Sequence, residues 1–333
     1  MLSPKYWFVP FLLGVILWFG LPSHSCAAAQ VDPKILHVLN RLSFGPRPGD
    51  IDRIAATGIK AYIQSQLQPE SIPYSVQLRR QLDGLETLQM SPVALLKNPT
   101  LQQGSQQSPQ EKRRNSRMWT RKVFDQSVEA RLRRAIGSDR QLEEVMVEFW
   151  FNHFNVFAGN GLSRLWVGAY EREAIRPHVF SHFRDLLGAT ARHPAMLFYL
   201  DNWLNSAPNS KRPRGKFRGL NENYARELME LHTLGVDGGY SQDDIVALAR
   251  IFTGWSMTRS PRQAGNNSGF HFDANRHDFS DKVFLGTTIK GSGIAEGERA
   301  LDILASHPST ARHISYKLAK SQFSIYPRLR FPR

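Results

Sequence analysis

Apolar residues recur along most of this chain at intervals of three and four, the spacing that lines one face of a helix. The first such face spans residues 31–42 through Ile35, Val38, Leu39 and Leu42. Gly45-Pro46-Arg47-Pro48-Gly49 interrupts it, and Asp50 caps a second helix that ends at Gly58. A third covers 59–67, and 78–88 has the same character. Trp119, Val123, Val128, Leu132 and Ile136 carry a long helical pattern to Gly137. Ser138 and Gln141 then have capping-box spacing ahead of a helix faced by Leu142, Val145, Met146 and Phe149.

Later, Asn221 or Asn223 caps a helix running to Leu234, with Tyr224, Leu228 and Leu231 on one face and Gly235 just past its end. Ser241 and Asp244 cap the next, whose buried face is Ile245, Leu248, Ala249 and Phe252. Residues 309–320 form the last. These elements predict a mainly α, multi-helical globular domain over 30–333, with long irregular loops near 101–117, 205–220 and 258–280. Beyond the last helix the pattern dissolves into prolines and arginines, so the chain reads as C-terminally truncated.

The first 29 residues read as a signal peptide. Lys5 supplies the positive start, residues 7–20 are uncharged and apolar, and Ala27-Ala28-Ala29 offers a small-residue cleavage site. The apolar run falls short of the roughly 20 residues a membrane span needs. Export to the periplasm or beyond is therefore expected. Cys26 is the sole cysteine, so the mature chain has no disulfide, thiolate ligand or cysteine nucleophile. The formal net charge is +14, of which the leader contributes only Lys5, leaving +13. An exported protein this basic meets anionic envelope polymers rather than nucleic acid. Lys211, Arg212 and Arg214 stand in a loop suited to gripping a polyanion.

Three segments carry candidate chemistry. In Glu148-Phe149-Trp150-Phe151-Asn152-His153-Phe154, aromatic neighbours would desolvate His153 and favour its neutral ring, fit to act as a base. The alternative is a core histidine bonded to a backbone carbonyl. Asn221, Asn223, Arg226, Glu227, Glu230 and His232 crowd the second segment. There Glu227 is the acid–base candidate, and Asn152, Asn223 and Arg226 are candidate binding groups. The alternative is a surface pair between Arg226 and Glu230. His277 and Asp278, with His232, would be the nitrogen and oxygen ligands of a divalent metal. No His-Glu-x-x-His, Gly-x-Ser-x-Gly or P-loop pattern occurs, which removes the usual zinc protease, serine hydrolase and nucleotide-hydrolase readings.

Taken together, HVLNRLSFGPRPGDI (37–51), EFWFNHFNVF (148–157) and NENYARELMELHTLGVDGGYSQDDIVALARIFTGW (221–255) resemble the bacterial family catalogued as domain of unknown function 1800. HDFSDKVFLG (277–286) and TARHISYKLA (310–319) fit the same family. The resemblance implies an exported, longer protein and no established activity. It also implies, by association, a second exported partner that looks phosphatase- or sulfatase-like. The leading expectation is an enzyme acting on an envelope or extracellular polymer through a His/Glu/Asp cleft where the three blocks converge. The competing one is a non-enzymatic envelope assembly or polyanion-binding protein.

Overall fold

The computed structural model describes residues 32–97, 108–210, 219–257 and 268–323. The segment 1–29 expected to be a leader and the candidates Lys211, Arg212 and Arg214 lie outside them. Fourteen α-helices and four short strands fall among the described residues, a mainly α fold. None of these helices is long and apolar enough to cross a membrane.

The chain begins with α1 (Pro33–Leu42), α2 (Asp50–Thr57) and α3 (Ile59–Gln66), which close on a small core of Ile35, Leu39, Ile54 and Tyr62. Gly49, in the left-handed region at φ +83°, occupies the N-cap, and Asp50 is the first helical residue, bonded to the Arg47 backbone amide. The helix α4 (Val76–Asp83) stops at Gly84, and a 3-10 turn, Glu86–Gln89, replaces the rest of the helix expected over 78–88. After α5 (Pro92–Leu96) comes α6 (Pro109–Gly137), the longest element. Its capping box of Ser108 and Glu111 starts it inside the stretch read as a linker near 101–117.

α7 (Gln141–His153), α8 (Ser163–Tyr170), α9 (Phe183–Arg192) and α10 (Pro194–Tyr199) surround the main core with α6. The capping box expected of Ser138 and Gln141 does not form. Ser138 instead terminates α6, and the Gln141 amide turns back to donate to the Ser138 and Ala135 carbonyls. The Leu142 amide is capped from afar by Gln66 Oε1 at 3.0 Å. Side-chain capping thus fastens the N-terminal helices to the main body.

α11 (Asn223–Glu227) runs directly into a π-turn, Leu228–His232. Its wider winding shifts the register by one residue. Leu228, Met229 and His232 therefore face the core while Leu231, expected on that face, is half exposed. α12 (Gln242–Ile251) starts with the Ser241/Asp244 capping box and buries Ile245, Leu248, Ala249 and Phe252 as expected.

Two antiparallel hairpins follow within the region read as a loop near 258–280 and just beyond it. β1 (Trp255–Met257) pairs with β2 (Phe270–Phe272), and β3 (Lys282–Phe284) with β4 (Thr287–Ile289). Leu285 and Gly286 join the second pair, both at positive φ (46° and 73°), as a type I′ turn demands. The Asp244 carboxylate accepts from the Leu285 amide at 2.8 Å and holds the bulky residue there. α13 (Ile294–Ser306) and α14 (Pro308–Phe323) complete the fold.

Gly297 in α13 lies flat against the buried Trp255 ring: an added Cβ would stand 2.2 Å from Trp255 Cζ2. Gly297→Ala gains up to about 1 kcal/mol of helix propensity. The overpacking costs about 1–3 kcal/mol. A net loss of up to about 2 kcal/mol is expected in urea unfolding once the full propensity gain is subtracted. A stabilised variant would refute the close packing.

Candidate functional site

His153, the last residue of α7, is buried, and Phe149 stacks on its ring at 6.3 Å while Phe154 meets it edge-on at 4.6 Å. His153 Nε2 lies 3.0 Å from the His232 carbonyl, an acceptor only, so Nε2 carries the proton and donates. Nδ1 is then a bare lone pair, buried and without a hydrogen-bond partner among the described residues. Burial, then the Lys317 ammonium and the neighbouring imidazole, hold this ring well below the usual histidine pKa. The π-turn places His232 beside it, ring centres 6.2 Å apart, and burial with Lys317 pushes His232 down to about 3. His313 of α14 closes the third side at 6.2 Å and is also held low by burial. Three neutral imidazoles and a desolvated amine thus converge. His313 and Lys317 escape sequence reasoning because nothing local links α14 to the other two segments.

His277 has different neighbours. Its Nδ1 lies 2.8 Å from the Thr253 carbonyl and its Nε2 2.9 Å from Glu296 Oε1. Both ring nitrogens are thus engaged by partners inside the fold. Glu296 Oε1 also accepts from the Ser292 and Gly293 amides at 2.8 and 2.9 Å, and Oε2 pairs with Lys282 Nζ. The side chains of His277, Lys282 and Glu296 are all fully buried. Asp278 is bonded to Arg250 and Ser280; desolvation is outweighed by these donors, and its carboxyl is drawn down to about 2.

Among the described residues no three His, Cys, Asp or Glu side chains are placed to hold a metal ion. The expected set of His232, His277 and Asp278 is therefore not assembled: His277 and Asp278 spend their polar atoms on structural partners.

In the second segment Arg226 pairs with Glu222 and Glu230, at 3.2 and 3.4 Å, the surface arrangement weighed against catalysis. Glu222, rather than Asn221 or Asn223, is the N-cap of α11; Asn221 Oδ1, just before it, accepts from the Asn223 amide, while the Asn223 side chain donates to the Leu200 carbonyl. Asn152 is exposed on α7. Glu227 is half-buried, and burial, then Glu230, raise its pKa against the opposing pull of Arg226. No hydrogen bond, ion pair or ring contact among the described residues joins Glu227 or His277 to His153.

The Glu296 cluster supplies a test. Breaking a buried ion pair by removing one partner costs about 3–5 kcal/mol. Lys282→Met should lose stability on that scale in urea unfolding at neutral pH, and adding Glu296→Gln should restore part of it. Hydrogen bonds hold the Glu296 carboxyl below its usual range, despite burial. Its contribution is therefore present above the ordinary carboxyl pKa and fades as pH falls through the lowered folded value. Single and double variants should converge in stability on acidification. Equal stability at neutral pH would overturn the assignment.

No curated protein and no solved structure matches the chain. Residues 37–325 match the model of the family described as protein of unknown function DUF1800. That match spans most of the chain, including the three segments that carry the candidate chemistry, and this protein belongs to that family.

Proposed function

We propose that this chain is an exported, non-enzymatic protein that binds an anionic polymer of the cell envelope. The observation that carries the reading is the start of α6. Lys112, Arg113, Arg114 and Arg117 are exposed there, and none forms an ion pair among the described residues. Farther along the helix, Arg121 and Lys122 are compensated by Asp125 and Glu86. Trp119 is the first α6 residue buried in the core, so the preceding turns add no side chain to that core. Successive residues on a helix point about 100° apart, so the four cations fan over an arc of about 200° at the helix end. Such an arc suits a flexible polyanion better than a small substrate. Export rests on the leader pattern, and the phosphatase- or sulfatase-like companion implied by the family resemblance fits a setting of anionic esters.

The internal engagement of His277, Asp278 and Asn223, and of one ring nitrogen of His153, supports the same reading over catalysis, because these polar atoms hold the fold. One observation favours the enzymatic alternative: the half-buried Glu227 carboxyl, with a raised pKa and no bonding partner among the described residues.

Replacing Lys112, Arg113, Arg114 and Arg117 together by Glu should weaken binding to long-chain polyphosphate by about tenfold or more at moderate salt, since exposed charge contacts are each worth up to about 1 kcal/mol. Added salt should weaken wild-type binding more steeply than variant binding. Unchanged affinity would end the proposal. In a cellular assay of the intact protein, Glu227→Gln should leave function unaltered; loss of function with stability retained would favour the enzyme.

A further inference from the structure

The sequence pattern made Val128, Leu132 and Ile136 part of the inward face of α6, yet they are 41%, 56% and 73% exposed. The core face of α6 is instead Trp119, Val123 and Ala130. At 100° per residue, Val128 and Leu132 point 160° and 200° away from Ala130, on the opposite side of the helix. Phe124, Val128, Leu132 and Ile136 form one continuous i, i+4 ridge. A helix apolar on two opposite faces is built to be covered on both.

The ridge is itself one wall of a groove of about 690 Å³, whose other wall is Ser75, Gln77, Leu78 and Gln81. Ridge and recess therefore share one patch, so two copies related by a two-fold axis can each seat the ridge of the other against the same surface. Interlocking i±4 ridges is also the commonest helix packing, at a crossing of about −50°.

We infer that the outer face of α6 is the contact surface for a second copy of this chain, packed antiparallel about a two-fold axis between Val128 and Leu132. In this register Phe124 of one copy meets Ile136 of the other, and Val128 meets Leu132. The flanking charges agree. Asp125 lies toward the N-terminal end of the patch and Arg133 toward the C-terminal end, paired within their own helix to Arg121 and Glu129. Antiparallel packing brings Asp125 of each copy within a turn of Arg133 of the other, joining local pairs into two networks across the interface; parallel packing sets like charges together. The dimer also places the two basic helix starts about 40–50 Å apart, from the rise of 1.5 Å per residue and that crossing angle. The inference does not rest on polymer binding.

Sedimentation velocity of the intact chain at micromolar concentration should give twice the monomer mass. Leu132→Glu with Ile136→Glu should give a monomer with unchanged far-UV circular dichroism, since both positions are exposed before association. In a Cys26→Ser background, oxidising a mixture of Phe124→Cys and Ile136→Cys copies should crosslink unlike copies in preference to like ones. Monomeric wild type would overturn the inference, as would a dimer that persists in the double-glutamate variant. Preferential crosslinking of like copies would overturn the antiparallel register. A polymer-binding result of either sign leaves these outcomes unaffected.

Discussion

A carboxylate sealed from water constrains this fold more than any other group. Glu296 is inaccessible, and leaving such a charge unpaired costs several kcal/mol, a large share of a typical domain's stability. Three regions must arrive together to prevent that. The Ser292–Gly293 turn at the start of α13 donates amides, β3 brings Lys282, and the segment after β2 brings His277, itself pinned to Thr253 beyond α12. None of these segments has a large apolar core of its own. Hairpins of three-residue strands are marginal alone, so a shared ion cluster decides whether they settle against the helices.

The same demand for satisfaction sorts the candidate chemistry. His153, His277 and Asn223 look functional in a sequence because polar residues among apolar ones are costly without partners. The partners turn out to be backbone carbonyls or a carboxylate. Asn202 and Asn205, which attract no notice in the sequence, perform the same task, bonding the Phe252, Trp255 and Ala249 carbonyls near the end of α12. Residue type reveals that a bond is needed; only the fold reveals whether it is made internally.

What could be read from the sequence was what depends on neighbours in sequence. The first three helices, the Ser241/Asp244 cap and the buried face of α12 follow from local spacing and were legible. The misreadings have nonlocal causes. Gln66 caps a helix 76 positions later and releases Ser138 from that role. The π-turn rotates Leu231 outward because Thr233 Oγ1 bonds the Leu228 carbonyl five residues back, a choice no 3.6-residue periodicity encodes. Of the site, His153 was legible as a desolvated ring and His232 only as a candidate metal ligand, whereas His313 and Lys317 enter from α14, 160 positions after His153 in the case of His313.

Net charge locates nothing by itself; pairing does. Lysines and arginines exceed aspartates and glutamates by enough to give +14. Through the body of the fold, Arg47, Arg176, Arg184 and Arg250 are matched by carboxylates and serve as struts. The surplus must then stand where acids are scarce, and the start of α6 is such a place. A helix that buries one face, leaves an apolar ridge on the other and starts with cations unpaired among the described residues is ill suited to isolation in water: covering its ridge removes apolar area, and a polyanion at its start would relieve repulsion among like charges. Both pressures act on one rigid rod of about 43 Å, from 29 residues at 1.5 Å each. Association through the ridge would therefore fix the spacing at which paired helix ends meet an anionic surface.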